Sequence, residues 1–278
     1  MGYKKIVQYG DTIELYEYEK ELKRPDKGQS HLKFERLLNG QTNNDYPRPR
    51  NVIKDRKKLL RIQQKLAGTY RRSERSIKRS KRAFFRLVHH NNCLATTIHF
   101  VTITFAYDLT PKEAARHVSR FMARVTKAQP SLSLSYISVP EFTKKGRLHF
   151  HLLVYGLPPE AQKTERATRN FQRQFQRGYI DIVCARDASP KIAGYMAKYM
   201  AKAIGDNRYQ TERGYTCSRN IKTPTSYGSN SFDEYMDMII PEDIVEKNPP
   251  RSYDVPYLGA CRFTKIKTQL CNQKSEVR

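Results

Sequence analysis

The chain has no tryptophan and only five cysteines in 278 residues. Cys93, Cys184, Cys217, Cys261 and Cys271 are odd in number and scattered, and they contain no C-x-x-C pair. That excludes a zinc ribbon or a disulfide framework and fits isolated, reduced packing thiols in a cytoplasm. No apolar run is long enough to span a bilayer, and Met1-Gly2-Tyr3-Lys4-Lys5 leads into no apolar signal core. A membrane is therefore not an expected partner. A G-x-x-x-x-G-K-[ST] loop is also missing, so neither a fused helicase nor a nucleotide cofactor is expected. Acidic residues are scarce: 27 Asp and Glu face 52 Lys and Arg, a formal net charge of +25. Such a chain repels itself unless a polyanion neutralises it, which makes nucleic acid the leading partner.

Three parts are legible. Residues 1–95 read as a basic, partly helical DNA-binding arm. Between Arg48 and Arg86 only Asp55 and Glu74 oppose a dense series of Lys and Arg. Proline is absent there after Arg50, and Leu59, Ile62, Leu66, Ile77, Phe84 and Leu87 recur at loosely helical spacing. One or two basic helices with a break at Gly68-Thr69 would track phosphates. Residues 96–205 hold the foldable core. Residues 206–278 read as a loop-rich C-terminal extension, with an acidic-apolar stretch from Phe232 to Glu246.

Within the core, every boundary carries a signal. Ile98–Phe105 is rich in β-branched and aromatic residues and reads as a strand. Thr110-Pro111-Lys112-Glu113 joins a capping box to a first-turn proline, and Ala114, Val118, Phe121, Met122 and Val125 continue an amphipathic helix. Leu134–Glu141 and Leu148–Tyr155 read as strands joined by a tight connection. A polar helix from Pro158 to Arg177, a strand from Tyr179 to Ala185, and a helix from Pro190 to about Ile204 follow. The order β-α-β-β-α-β is the split βαβ, ferredoxin-like arrangement, an α+β class with an antiparallel sheet. That fold alone decides no function.

Two constellations carry chemistry. In Leu148-His149-Phe150-His151, alternation puts both imidazoles on one face and Phe150 in the core. A five-residue loop from Thr143 to Arg147 pairs Glu141 with His149 on that face; a four-residue loop pairs it with Leu148 and spoils the site. Two histidines and a carboxylate leave open positions on a catalytic metal. In the final helix, Lys191, Tyr195, Lys198, Tyr199 and Lys202 share one stripe, while Met196, Ala197, Met200, Ala201, Ala203 and Ile204 take the opposite arc. Phenols interleaved with ammonium groups suit attack on phosphodiesters, because nearby positive charge favours phenolate and the lysines hold phosphate.

On these residues the chain resembles the HUH endonucleases, and among them the two-tyrosine rolling-circle replication initiators of small bacteriophages and plasmids. The matching motifs are Phe100–Phe105, the run from Val139 through Glu141 to His149 and His151, and Tyr195-x-x-Lys198-Tyr199-x-x-Lys202. The resemblance implies an HUH core followed by a tyrosine-bearing helix, and metal-dependent cleavage of single-stranded origin DNA through a 5′-phosphotyrosine. Its metal ligands would be His149, His151 and Glu141, holding Mn²⁺ or Mg²⁺. Tyr195 and Tyr199 would alternate as nucleophiles, with Lys198 and Lys202 on the phosphate. Host helicase and polymerase would be partners in a bacterial cytoplasm.

Two other readings stay open. A two-tyrosine HUH transposase or a relaxase shares the chemistry, although relaxases usually carry their tyrosine ahead of the histidines. A non-catalytic ferredoxin-like nucleic-acid module, stacking bases on Phe100, Phe105 and Phe150, leaves both histidines unexplained.

Overall fold

A computed structural model describes residues 2–21, 74–143, 146–159, 171–185, 190–206, 214–237, 239, 243–255 and 258–269. The segment 48–73 of the basic arm, the polar-helix residues 160–170 and Cys271 lie outside the described residues.

The core strands are β3 (Ile98–Phe105), β4 (Ser135–Phe142), β5 (Leu148–Tyr155) and β6 (Gly178–Ala185), all paired antiparallel. Their order is β6-β3-β5-β4, with β7 (Thr216–Cys217) added at the β4 edge. This is the ferredoxin-like sheet that the element order predicts, and the strand limits fall within one residue of those read from the sequence. One face packs on α2 (Pro111–Ala128) through Val101, Ile103, Phe105, Val118, Phe121, Phe150 and Leu152. The capping box is present: the Thr110 side chain accepts from the Glu113 backbone, and the Glu113 side chain accepts from Thr110 N–H.

The opposite face carries the chemistry. Helix α1 (Glu74–Leu94) and helix α3 (Pro190–Gly205) pack together over part of it. Phe84, Leu87 and Val88 meet Met196, Ala197, Met200 and Ile204 there, above Ile137, Val139 and Leu153. The Met and Ala arc of α3 is thus buried, as its spacing predicts, and Tyr195 stays 45% exposed.

A second sheet is built from segments far apart in the chain. The hairpin β1 (Lys4–Tyr9) and β2 (Thr12–Tyr18) joins β8 (Thr225–Tyr227), β9 (Ile244–Lys247), β10 (Arg251–Val255) and β11 (Gly259–Thr268). Helix α4 (Phe232–Asp237) supplies Phe232 and Tyr235 to its core beside Ile6, Ile13, Leu15 and Ile266. Two expectations need correction. Among the described residues the arm is helical only from Glu74 to Leu94, and its start is β-structure. Among the described residues the C-terminal part contributes strands β7 to β11 and helix α4, and not loop alone. The physical reason is that β2 and β11 pair over the register Cys261↔Tyr18 to Lys267↔Thr12. Neither strand announces a partner that distant. Charged and polar residues interrupt their alternation.

The second sheet is clasped to α1. Glu14 is buried and accepts from Tyr9 Oη at 2.7 Å and Tyr16 Oη at 2.5 Å. Arg86 of α1 forms an ion pair with the same carboxylate and donates to Tyr16 Oη at 2.6 Å. A buried charge needs this degree of satisfaction. Asn91 of α1 also brackets Lys222, donating to its carbonyl at 2.8 Å and accepting from its N–H at 3.0 Å. No described helix is long and apolar enough to cross a membrane, and none of the four described cysteines is in a disulfide.

Candidate active site

The β4–β5 connection fixes the register. Thr143 N–H donates to Arg147 O at 2.8 Å and Gly146 N–H to Thr143 O at 2.9 Å, with Gly146 at φ +82°. Glycine reaches that left-handed conformation without a Cβ penalty. The loop has five residues, so Phe142 pairs with Leu148 and Glu141 with His149. Across the sheet, one row reads Glu141, His149, Thr104, Tyr179 and the next reads Val139, His151, Thr102, Asp181. Both imidazoles belong to the face over which α3 packs.

His151 is 7% exposed, and its Nε2 lies 2.8 Å from Glu141 Oε2. The other carboxylate oxygen takes the Lys202 ammonium at 2.5 Å. Burial opposes ionisation of Glu141, but the hydrogen bonds and charges of Lys202 and His151 override it and hold the carboxyl below its ordinary range. His149 is lowered by burial and by the neighbouring His151, which favours the neutral imidazole a metal requires.

The tyrosines of α3 sit directly above. The Tyr199 ring centroid is 4.4 Å from that of His151, and the Tyr195 centroid is 6.5 Å away. Tyr199 Oη donates to Tyr195 Oη at 2.8 Å. Phe100 completes the cluster, 5.6 Å from both His151 and Tyr195. The structure therefore brings Tyr195, Tyr199, His151, Glu141 and Lys202 together, while Lys198 stands exposed on the same helix.

Three features differ from the sequence reading. Lys202 rests on Glu141 instead of projecting toward a ligand. The Tyr199 phenol is pushed well above its ordinary range by burial, by its bond to Tyr195 and by the Glu141 charge, opposite to the expected effect of the lysines. Among the described residues, one group of His, Cys, Asp and Glu has three donor atoms within 4.8 Å of one another, and it is Asp11, His89 and Cys93. His151 and Glu141 already touch, so His149 is the predicted ligand that stands apart. Phe100 was read as a core-strand or base-stacking residue, and its contact with Tyr195 had no local signal. Cys93 was read as an isolated packing thiol. It lies one helical turn after His89, but Asp11 joins them only through the second sheet.

The site residues fall in one segment with a known relative. Residues 98–204 match the family model of the replication-associated protein ORF2/G2P. The ORF2/G2P-like segment thus spans β3 through α3, with all seven predicted site residues inside it. A protein of Escherichia coli named Phasyl DNA replicon protein arp is 31% identical over 130 residues, covering 39% of this chain and 45% of that protein. The match spans under half of either chain. No solved structure matches. Both findings bear out the resemblance to replication proteins of phages and plasmids.

Proposed function

We propose that the ORF2/G2P-like segment is a replication-initiation endonuclease that nicks single-stranded origin DNA and rejoins strands through a 5′-phosphotyrosine. The observation that carries this reading is the pair of phenols packed against His151, beside a carboxylate that already holds a cation. Unlike a two-tyrosine transposase or relaxase, a replication initiator is also favoured by the two replication-protein matches.

His149, His151 and Glu141 suit a divalent ion by donor chemistry, with two imidazoles and one carboxylate, and the Lys202 ammonium on Glu141 marks a place that favours positive charge. When bound, Mn²⁺ or Mg²⁺ would polarise the scissile phosphate. Tyr195 is the first nucleophile in this scheme. It is the more exposed phenol, and its oxygen accepts a hydrogen bond from the Tyr199 hydroxyl. Tyr199 keeps its own proton until that partner is consumed, and then attacks the regenerated junction. The 3′ hydroxyl freed by that second attack then displaces Tyr195 from the first phosphate and rejoins the strand. Each step exchanges one phosphate ester for another, so rejoining needs no nucleotide. Lys198 contacts the phosphate, and Lys202 reaches it on leaving Glu141. Single-stranded and origin DNA are the substrates. A host helicase and polymerase, acting in a bacterial cytoplasm, would supply unwinding and synthesis. In this reading the basic arm before β3 holds duplex DNA next to the nick, the core is the nuclease, and the strands after α3 support the arm.

The deciding experiment incubates the protein with single-stranded oligonucleotides of the cognate origin and Mn²⁺, then maps the adduct by mass spectrometry. A 5′-phosphate on Tyr195, abolished by chelator, is expected. Tyr195→Phe should depress first nicking more than Tyr199→Phe. DNA binding with no adduct under any divalent ion would instead establish the non-catalytic module.

A further inference from the structure

A second donor cluster lies away from the nuclease face, where the β1–β2 turn meets the end of α1. His89 and Cys93 are four residues apart on α1, so their side chains share one helical face. Asp11 follows Gly10 in the turn. Gly10 has φ +55°, and a Cβ there would lie 2.6 Å from Cys93 Sγ, so only glycine allows the turn this close to the helix. The turn is also fastened from its other sides. Gly10 N–H donates to His90 Nδ1 at 3.0 Å, and Asp11 O accepts from Thr268 N–H at 2.8 Å.

Three kinds of donor converge on one point. Asp11 Oδ1 is 2.7 Å from His89 Nε2, and Cys93 Sγ is 3.8 Å from that same nitrogen. Both contacts fall on Nε2, which excludes a proton relay of the Cys-His-Asp type, since a relay uses the two ring nitrogens separately. The imidazole is 2% exposed. Its orientation is held between the Tyr9 and Phe85 rings, at centroid distances of 5.7 and 5.9 Å. One imidazole nitrogen carries at most one proton, so the two neighbours can only divide a single hydrogen bond between them. A cation placed between the three donors satisfies all of them.

We infer that Asp11, His89 and Cys93 form a site for one Zn²⁺-class ion that fastens the second sheet to α1. A thiolate, an imidazole and a carboxylate together suit a borderline ion, and the thiolate disfavours Mg²⁺ or Ca²⁺. Tetrahedral bonds of about 2.0–2.3 Å separate ligand atoms by about 3.3 Å or more, so Asp11 must move back by roughly half an ångström, which a side-chain torsion supplies. The three ligands leave a fourth position for water. Because α1 packs directly on α3, the ion would brace the helix that carries both tyrosines.

The test titrates the reduced full-length protein with Co²⁺. A thiolate-to-cobalt charge-transfer band saturating at one equivalent per chain, and bleached by Zn²⁺, is expected. Cys93→Ser should remove it. A His149→Ala/His151→Ala protein should keep it, so this result is independent of the proposed nuclease. Asp11→Asn tests the site without touching the thiol, and calorimetry should show at least tenfold weaker Zn²⁺ binding. Absence of the band in the unmutated protein, an undiminished band in Cys93→Ser, or unchanged affinity in Asp11→Asn would overturn the assignment.

Discussion

The two sheets reach similar burial by opposite routes. In the five-stranded sheet, β3 to β6 come from one continuous stretch of chain, with α2 between β3 and β4 and with α1 and α3 immediately before and after it. The six-stranded sheet pairs β1 with β8 and β2 with β11, across most of the chain's length. Loop closure adds only slowly to the thermodynamic cost of such distant pairing, but it delays the contact. The lesson lies in the division of labour: the local sheet carries the candidate chemistry, and the long-range sheet meets it through the buried Glu14–Arg86 clasp and the hairpin tip on α1.

The sharpest test of that division is catalytic. Tyr195→Phe/Tyr199→Phe should eliminate the covalent DNA adduct while leaving the thermal melting curve nearly unchanged, because the two hydroxyls bond to each other at an exposed position and both rings are kept. An adduct that survives would move the chemistry off the five-stranded sheet. Next comes Glu14→Ala, which strands the Arg86 guanidinium and two phenols. Removing one member of a buried pair costs about 3–5 kcal/mol. Urea unfolding should show that loss, and hydrogen exchange should locate it in β1, β2 and β11 before it reaches β3 or β5. Uniform loss of protection would mean that the two sheets are one cooperative unit.

These same residues show what the sequence could disclose. Ile98–Phe105, the Thr110 cap and the Met-Ala arc of α3 each encode structure within a few residues, whereas the sequence left two loop lengths open and the observed five-residue Thr143–Arg147 loop sets Glu141 opposite His149. Which of these side chains share a face was legible because alternation and helical spacing determine facing directions. Packing was not. The bond from Lys202 to Glu141 and the approach of Phe100 to Tyr195 depend on how α3 settles on the sheet, which no spacing rule gives. Nothing in the local sequence marks Glu14 in β2, since its partner Arg86 lies outside any local window. Asp11, His89 and Cys93 were hidden for the same reason.

A finer comparison uses matched deletions of one methylene. Ile103 in the local sheet and Ile6 in the long-range sheet are both fully buried. Ile→Val at either position should cost about 1 kcal/mol. If the sheets unfold together, each variant shifts a single transition by the same amount. If they unfold apart, calorimetry resolves two transitions and each variant moves only its own.

The smallest effect tests whether a purely local signal can be removed without touching the long-range sheet. The Thr110 hydroxyl caps α2 by accepting the Glu113 N–H, and Glu113 returns the contact to Thr110 N–H. Thr110→Ala takes away one half of that exchange and should destabilise by about 1 kcal/mol. Because α2 packs on the sheet face opposite the tyrosines, adduct formation should be unaffected, and exchange should quicken in the first turn of α2 and nowhere in β1 or β11. Faster exchange at the Asp11 turn would show instead that strain passes from α2 through the core to the second sheet, and the division of labour between the two sheets would have to be withdrawn.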